Sequence, residues 1–128
     1  MIPVENVTSS RPDRRRIIFL DVDGTLLEHG SHVSPSTGPA IRAVRAAGHL
    51  VYLSTGRSAS DIHPNVAEIG FDGAVTNSGA LVVSDGEVVV DRPLSPAATD
   101  RMLTALRSRG IRYFLQTRGA VYASDDMG

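Results

Sequence analysis

The chain contains no cysteine, which rules out a disulfide framework. It also contains no lysine: all 13 basic residues are arginine, so no ammonium point charge can come from within the chain. No apolar run approaches the roughly 20 residues needed to span a bilayer, and Met1 to Arg16 lacks an apolar signal core. This stretch reads as a flexible polar leader, with Arg14-Arg15-Arg16 as a solvated flank of the element that follows. A net charge of −1 gives no support for a nucleic-acid partner. What remains, 128 residues of which 41% are hydrophobic, is about one domain's worth of a soluble, cytoplasmic globular chain.

The most informative stretch is Ile17-Ile18-Phe19-Leu20-Asp21-Val22-Asp23-Gly24-Thr25-Leu26-Leu27. Its unbroken apolar start reads as a strand of a parallel sheet, buried on both faces. Two carboxylates one residue apart follow, and along an extended backbone their side chains share a side. Gly24 then allows a sharp turn and a close approach to a ligand. Open α/β sheets bind ligands beyond this end of their strands.

Asp21-Val22-Asp23-Gly24-Thr25-Leu26-Leu27 resembles the first motif of the haloacid-dehalogenase superfamily of phosphotransferases. The resemblance implies that Asp21 is a nucleophile that accepts a phosphoryl group. It implies that Asp23 is the general acid/base, and that Mg²⁺ is the cofactor, held by Asp21 and Asp23. Carboxylate nucleophiles split one hard displacement into two easier ones. Neighbouring carboxylates repel, which is expected to raise the pKa of one towards acid duty, and a divalent cation with oxygen ligands offsets that repulsion.

Elements then alternate. Ser34 as N-cap and Pro35 at the first helical position predict a helix to Ala47. His49 to Ser54 reads as a second parallel strand. A second helix is expected to start near Ser58 to Asp61 and run towards Ile69, with Pro64 in its first turn. Gly73 to Thr76 reads as a third strand, and right-handed crossovers align all three strand ends on one edge.

The second strand ends in Ser54-Thr55-Gly56-Arg57. A hydroxyl and exposed N–H groups ahead of a helix suit a phosphoryl oxygen, which makes Thr55 and Gly56 candidate phosphate-binding residues. Val51 to Arg57 resembles the second superfamily motif, in the form common in the Cof-type branch. Arg57 either contacts substrate phosphate or faces solvent. Asn77-Ser78-Gly79-Ala80 resembles the Asn-Gly-Ala segment of that branch with Ser78 intervening, and Asn77 is a candidate neighbour of substrate.

Beyond Ala80, Asp85-Gly86 between β-branched runs predicts a hairpin from Leu81 to Leu94. Ser95-Pro96 opens a helix to about Arg109, and Ile111 to Thr117 with Ala120 to Ser124 suggests another strand pair. This resembles the start of the α/β cap of Cof-type phosphatases. The division expected is a leader over 1–15, a partial Rossmann-like, doubly wound parallel-sheet core over 16–80 and an incomplete α/β cap over 81–128.

The superfamily's third motif is a Lys, or sometimes an Arg, and no Lys is present. Its fourth is an acidic pair, for which Asp125-Asp126 is the sole candidate and reads better as an exposed cap loop. His29, His32, His49 and His63 have no zinc-site spacing and read as surface or turn residues. The expectation is the amino-terminal part of a Mg²⁺-dependent phosphatase of small phosphorylated metabolites such as sugar phosphates, weak or inactive by itself. Uncovered apolar faces would favour self-association, with Tyr113 to Asp126 more mobile than Ile17 to Thr55. The alternatives are a non-catalytic fragment that binds phosphate or metal and a phospho-accepting signalling domain. An acidic pair placed a strand or more before the phospho-Asp would mark the latter.

Overall fold

The computed structural model describes residues 13–125; Asp126 and residues 1–12 of the expected leader lie outside them. Five strands form one sheet in chain order: β1 (Ile17–Leu20), β2 (Leu50–Ser54), β3 (Gly73–Thr76), β4 (Leu81–Ser84) and β5 (Glu87–Asp91). The first three are parallel, with Leu20 opposite Leu53 and Leu53 opposite Ala74. The architecture is a mixed, Rossmann-like α/β sheet.

Both crossovers pack on one face. Helix α1 (Thr37–Ala46) contributes Ile41 and the short α2 (Pro64–Ala67) contributes Val66 to a cluster with Val51 and Leu53, against which Ile18 and Leu20 pack. Alternation turns the intervening residues to the other face. There Ile17 and Phe19 are each 57% exposed, and the Phe19 ring leans on Tyr52 at 5.6 Å. The Tyr52 ring in turn crosses Gly73, where a β-carbon would meet it at 2.6 Å.

Two helix starts differ from the sequence pattern. The first helix begins at Thr37 because Ser34-Pro35-Ser36-Thr37 closes a turn, Thr37 N–H donating to the Ser34 carbonyl at 3.0 Å. Pro35 takes the second turn position, which its fixed φ also suits, and the Ser34 hydroxyl pairs with that of Ser36 rather than capping the helix. The second helix is split into a 3₁₀ turn (Ala59–Asp61) and α2. Pro64 disfavours helical geometry at the residue before it, and His63 (ψ 136) instead caps α2, its Nδ1 accepting from Asn65 N–H.

The predicted hairpin forms at Asp85-Gly86, both with positive φ (50 and 78), as a two-residue turn between twisted strands requires. It is hydrogen-bonded onto the parallel strands: β4 runs antiparallel to β3, with Thr76 opposite Leu81. The hairpin read as the start of the cap thus continues the core sheet. Helix α3 (Pro96–Ser108) follows, with the Ser95 hydroxyl accepting from Ala98 N–H at 3.1 Å and Pro96 in its first turn. Strands β6 (Phe114–Gln116) and β7 (Val121–Ala123) pair separately. No residue of α3 is buried, and Leu94, Phe114 and Tyr122 are exposed.

Candidate strand-end site

Strand β1 runs into a tight turn anchored by Val22, which is completely buried. The Val22 carbonyl accepts from the N–H groups of Thr25, Leu26 and Leu27 at 3.3, 3.0 and 2.9 Å, and Gly24 (φ 77) donates to the Leu27 carbonyl. This knot leaves Asp21 and Asp23 exposed on either side of a core residue. Because β1 and β2 are adjacent and parallel, Asp21 and Thr55 emerge side by side. They line one hollow of about 320 Å³ with Ser54, Gly56, Val75, Ser78 and Gly79.

Thr55 is buried. Its N–H donates to the Val75 carbonyl at 2.9 Å, and its hydroxyl oxygen accepts from Arg57 N–H at 3.1 Å. Two amides expected to face an anion are therefore committed. The Thr55 hydroxyl proton and the Gly56 N–H, which has no acceptor among the described residues, are left for that duty. The structure following Thr55 is a 3₁₀ turn and a four-residue helix, so a helix dipole adds little there.

Arg57 faces carboxylates. Its Nε and Nη2 donate to Asp23 Oδ2 and Oδ1, each at 2.8 Å, and its Nη1 donates to the carbonyl and Oδ2 of Asp61 at 3.0 and 3.2 Å. Hydrogen bonding to Arg57, together with its charge, outweighs the opposing effect of burial and holds the Asp23 carboxyl below the usual carboxylate range. The expected upward push on an acid is thus not what Asp23 experiences: a guanidinium, not a second carboxylate, dominates its surroundings.

Asn77 stands at the end of β3, in the left-handed region with Ser78 (φ 51 and 55). Its N–H donates to the Arg57 carbonyl at 2.8 Å, and its Nδ2 reaches Gln116 Oε1 at 3.3 Å. Its Oδ1 is buried without a partner among the described residues.

Among the described residues no three His, Cys, Asp or Glu side chains come close enough together to hold a metal ion. Asp21 and Asp23 are a pair of hard oxygen ligands suited to Mg²⁺, but both Asp23 oxygens accept from Arg57. As they stand, the two carboxylates do not fit a shared cation. Two histidine side chains serve the backbone, His49 Nδ1 accepting from Arg16 N–H and His63 Nδ1 from Asn65 N–H, while His32 pairs its main chain with Glu28. Asp125 is exposed. Asp61 and Gln116 escaped the sequence reading; Asp61 lies four residues after Arg57, a spacing that could have signalled the pair.

The Rossmann-like sheet thus carries an Asp-x-Asp turn and a Thr-Gly-Arg turn at one edge. A family model of haloacid dehalogenase-like hydrolases matches residues 18–127, and the chain belongs to that family. It is 31% identical over 88 residues to "Putative phosphatase YkrA" of Bacillus subtilis (strain 168), covering 69% of this chain and 34% of that protein. A hypothetical protein from Geobacillus kaustophilus HTA426 superposes with a TM-score of 0.78 at 27% identity, over 90% of this chain and 45% of the other. The phosphatase BT1666 of Bacteroides thetaiotaomicron gives 0.73 at 27% identity, over 91% and 45%. The chain thus spans less than half the length of each. Among the described residues no helix is long and apolar enough to cross a membrane.

Proposed function

We propose that the chain carries the nucleophile half of a phosphomonoester hydrolase acting on a small phosphorylated metabolite, a sugar phosphate or similar compound. The observation that carries this reading is the shared hollow of Asp21 and Thr55 at adjacent parallel strand ends, with Asp23 held by Arg57 two residues beyond Asp21.

In this reading the Asp21 carboxylate attacks phosphorus while the Thr55 hydroxyl and Gly56 N–H hold a non-bridging oxygen. The bond to the leaving oxygen breaks as Asp23 supplies its proton. Water then attacks the aspartyl-phosphate, Asp23 takes the water's proton, and inorganic phosphate leaves. The Arg57 contact favours ionised Asp23, which suits the second, proton-accepting step. Donating in the first step requires Asp23 to be protonated as the substrate enters. Mg²⁺ comes with the family resemblance and would supply charge neutralisation; Asp21 is the better placed of the two residues to hold it, and no step above depends on it.

Among the described residues the cation at the site is already spoken for, since Arg57 is paired twice. Stabilising charge on a transferring phosphoryl group is usually a large part of catalysis, so turnover by these 128 residues alone is weak. A phosphate-binding, non-catalytic fragment is the second reading, favoured by the same shortage of cations.

The experiment is to incubate the protein with acetyl phosphate and Mg²⁺, reduce with borohydride and locate the product by mass spectrometry. Conversion of residue 21 to homoserine, absent in Asp21→Asn, is the expected result. An unlabelled Asp21 with measurable phosphate binding would favour the second reading.

A further inference from the structure

Arg57 joins the loops that follow all three parallel strands. Its N–H bonds Thr55 Oγ1 after β2, its carbonyl accepts from Asn77 N–H after β3, and its side chain grips Asp23 after β1. The main chain at Arg57 is thereby fixed on both sides. Its side chain is long and flexible, and needs a separate hold at the far end.

Asp61 provides that hold. It closes the 3₁₀ turn Ala59–Asp61, and its N–H bonds the carbonyl of Ser58, a completely buried residue. The turn is therefore anchored in the core. From it both the carbonyl and Oδ2 of Asp61 accept from Nη1 of Arg57. A guanidinium is planar and presents its donors in a rigid fork. Holding Nη1 sets the plane, and the plane sets the direction of the Nε and Nη2 edge that meets Asp23. The Asp23 side chain is 53% exposed and has no other side-chain partner among the described residues, so its rotamer depends on that edge.

We propose that Asp61 is a positioning residue: acting through Arg57, it holds the Asp23 carboxylate in register with Asp21 and Thr55. The functional part of this inference rests on the phosphoryl-transfer reading above. Arg57 is in turn a positioning residue and not a phosphate ligand, because its donors point at two carboxylates. The three residues form a single chain of contacts, Asp61 to Arg57 to Asp23.

The test is nitrogen–proton NMR of arginine side chains in the whole chain, with the Arg57 Nε–H resonance assigned by its loss in Arg57→Lys. The wild type should show this proton protected from exchange with water. Asp61→Ala, which keeps only the main-chain acceptor, should weaken the protection while the main-chain amide spectrum stays intact, and Asp61→Asn, which returns a side-chain acceptor oxygen, should restore part of it. Unchanged protection in Asp61→Ala would overturn the proposal. The second arm follows aspartyl-phosphate lifetime after acetyl phosphate labelling. Loss of a positioned base should lengthen the lifetime at least about tenfold in Asp61→Ala, and an equal lifetime would overturn the functional part. If wild-type Asp21 takes no label, the phosphoryl-transfer reading and with it the functional part fall. The resonance still decides whether Asp61 positions Asp23.

Discussion

The Asp23 carboxylate sits in the fork of Arg57, with two hydrogen bonds of 2.8 Å between residues 34 positions apart. The contact unites the loops after β1 and β2 and determines which protonation state of Asp23 is favoured. Removing the guanidinium should therefore raise the Asp23 pKa. Carboxyl carbon NMR titration should place its midpoint higher in Arg57→Ala than in the wild type. The effect on stability should stay within about 1 kcal/mol, because the pair is partly exposed.

A second acid is bound more deeply into the fold. Asp72 accepts from Arg45 Nε and Nη2 at 3.1 and 3.0 Å and from Val51 N–H at 2.8 Å. Partial burial alone would push its carboxyl up, but these hydrogen bonds and the nearby arginine charge outweigh burial and hold it below the usual range. The folded pKa is lower than the unfolded one, so the linked stability is present above the ordinary carboxylate pKa of about 4 and is lost as pH falls through the folded value. Urea unfolding between pH 2 and 7 should show this fall, and a shallower one in Asp72→Asn. At neutral pH, Asp72→Ala should cost about 1–2 kcal/mol by leaving Arg45 and the Val51 N–H without partners.

Gly73 is required by its neighbours' side chains and carbonyls. A β-carbon would meet the Tyr52 ring at 2.6 Å and crowd the Val83 carbonyl. Gly73→Ala should destabilise the chain by about 1–3 kcal/mol, measured by urea denaturation. It should also shift the Tyr52 ring resonances and weaken the hydrogen bond between the Tyr52 and Ser84 hydroxyls, 2.7 Å apart.

The segment after Leu94 should be the less protected part of the molecule. Helix α3 buries none of its residues. Among the described residues, two side-chain polar pairs link β6 and the turn after it to the sheet and its connecting turn: Asn77 with Gln116 and Asp91 with Arg118. Hydrogen exchange should be faster over residues 96–125 than over 17–55. Ile17 and Phe19, exposed on one face of the sheet among the described residues, together with Phe114 and Tyr122, should make the chain self-associate as concentration rises. Sizing chromatography showing a concentration-independent monomer would contradict this.

The Ser95 cap offers a local check. Ser95→Ala removes the acceptor of Ala98 N–H and should cost about 1 kcal/mol of helix stability, visible as faster exchange in the first turn of α3.

By itself the sequence determined the strands and the hairpin, and it put Asp21 and Thr55 at neighbouring strand ends. These rest on short-range signals: apolar runs, Asp-Gly at a turn, and carboxylates placed at a strand end. Crossover handedness then brought Asp21 and Thr55 to one edge without further information. Tertiary structure alone decided what those groups face. Local spacing left Arg57 between phosphate and solvent, but the parallel pairing of β1 with β2 delivers it to Asp23 and reverses the direction of the expected pKa shift. The hairpin was legible as a hairpin, yet its union with the core depends on β3 and β4 matching edge to edge, a pairing that no local pattern encodes. The same holds for Gln116, on a strand 39 residues beyond Asn77. The four-residue spacing of Arg57 and Asp61 is a local signal, but the turn tied to buried Ser58 decides that the two side chains meet. Only the folded backbone sets those distances.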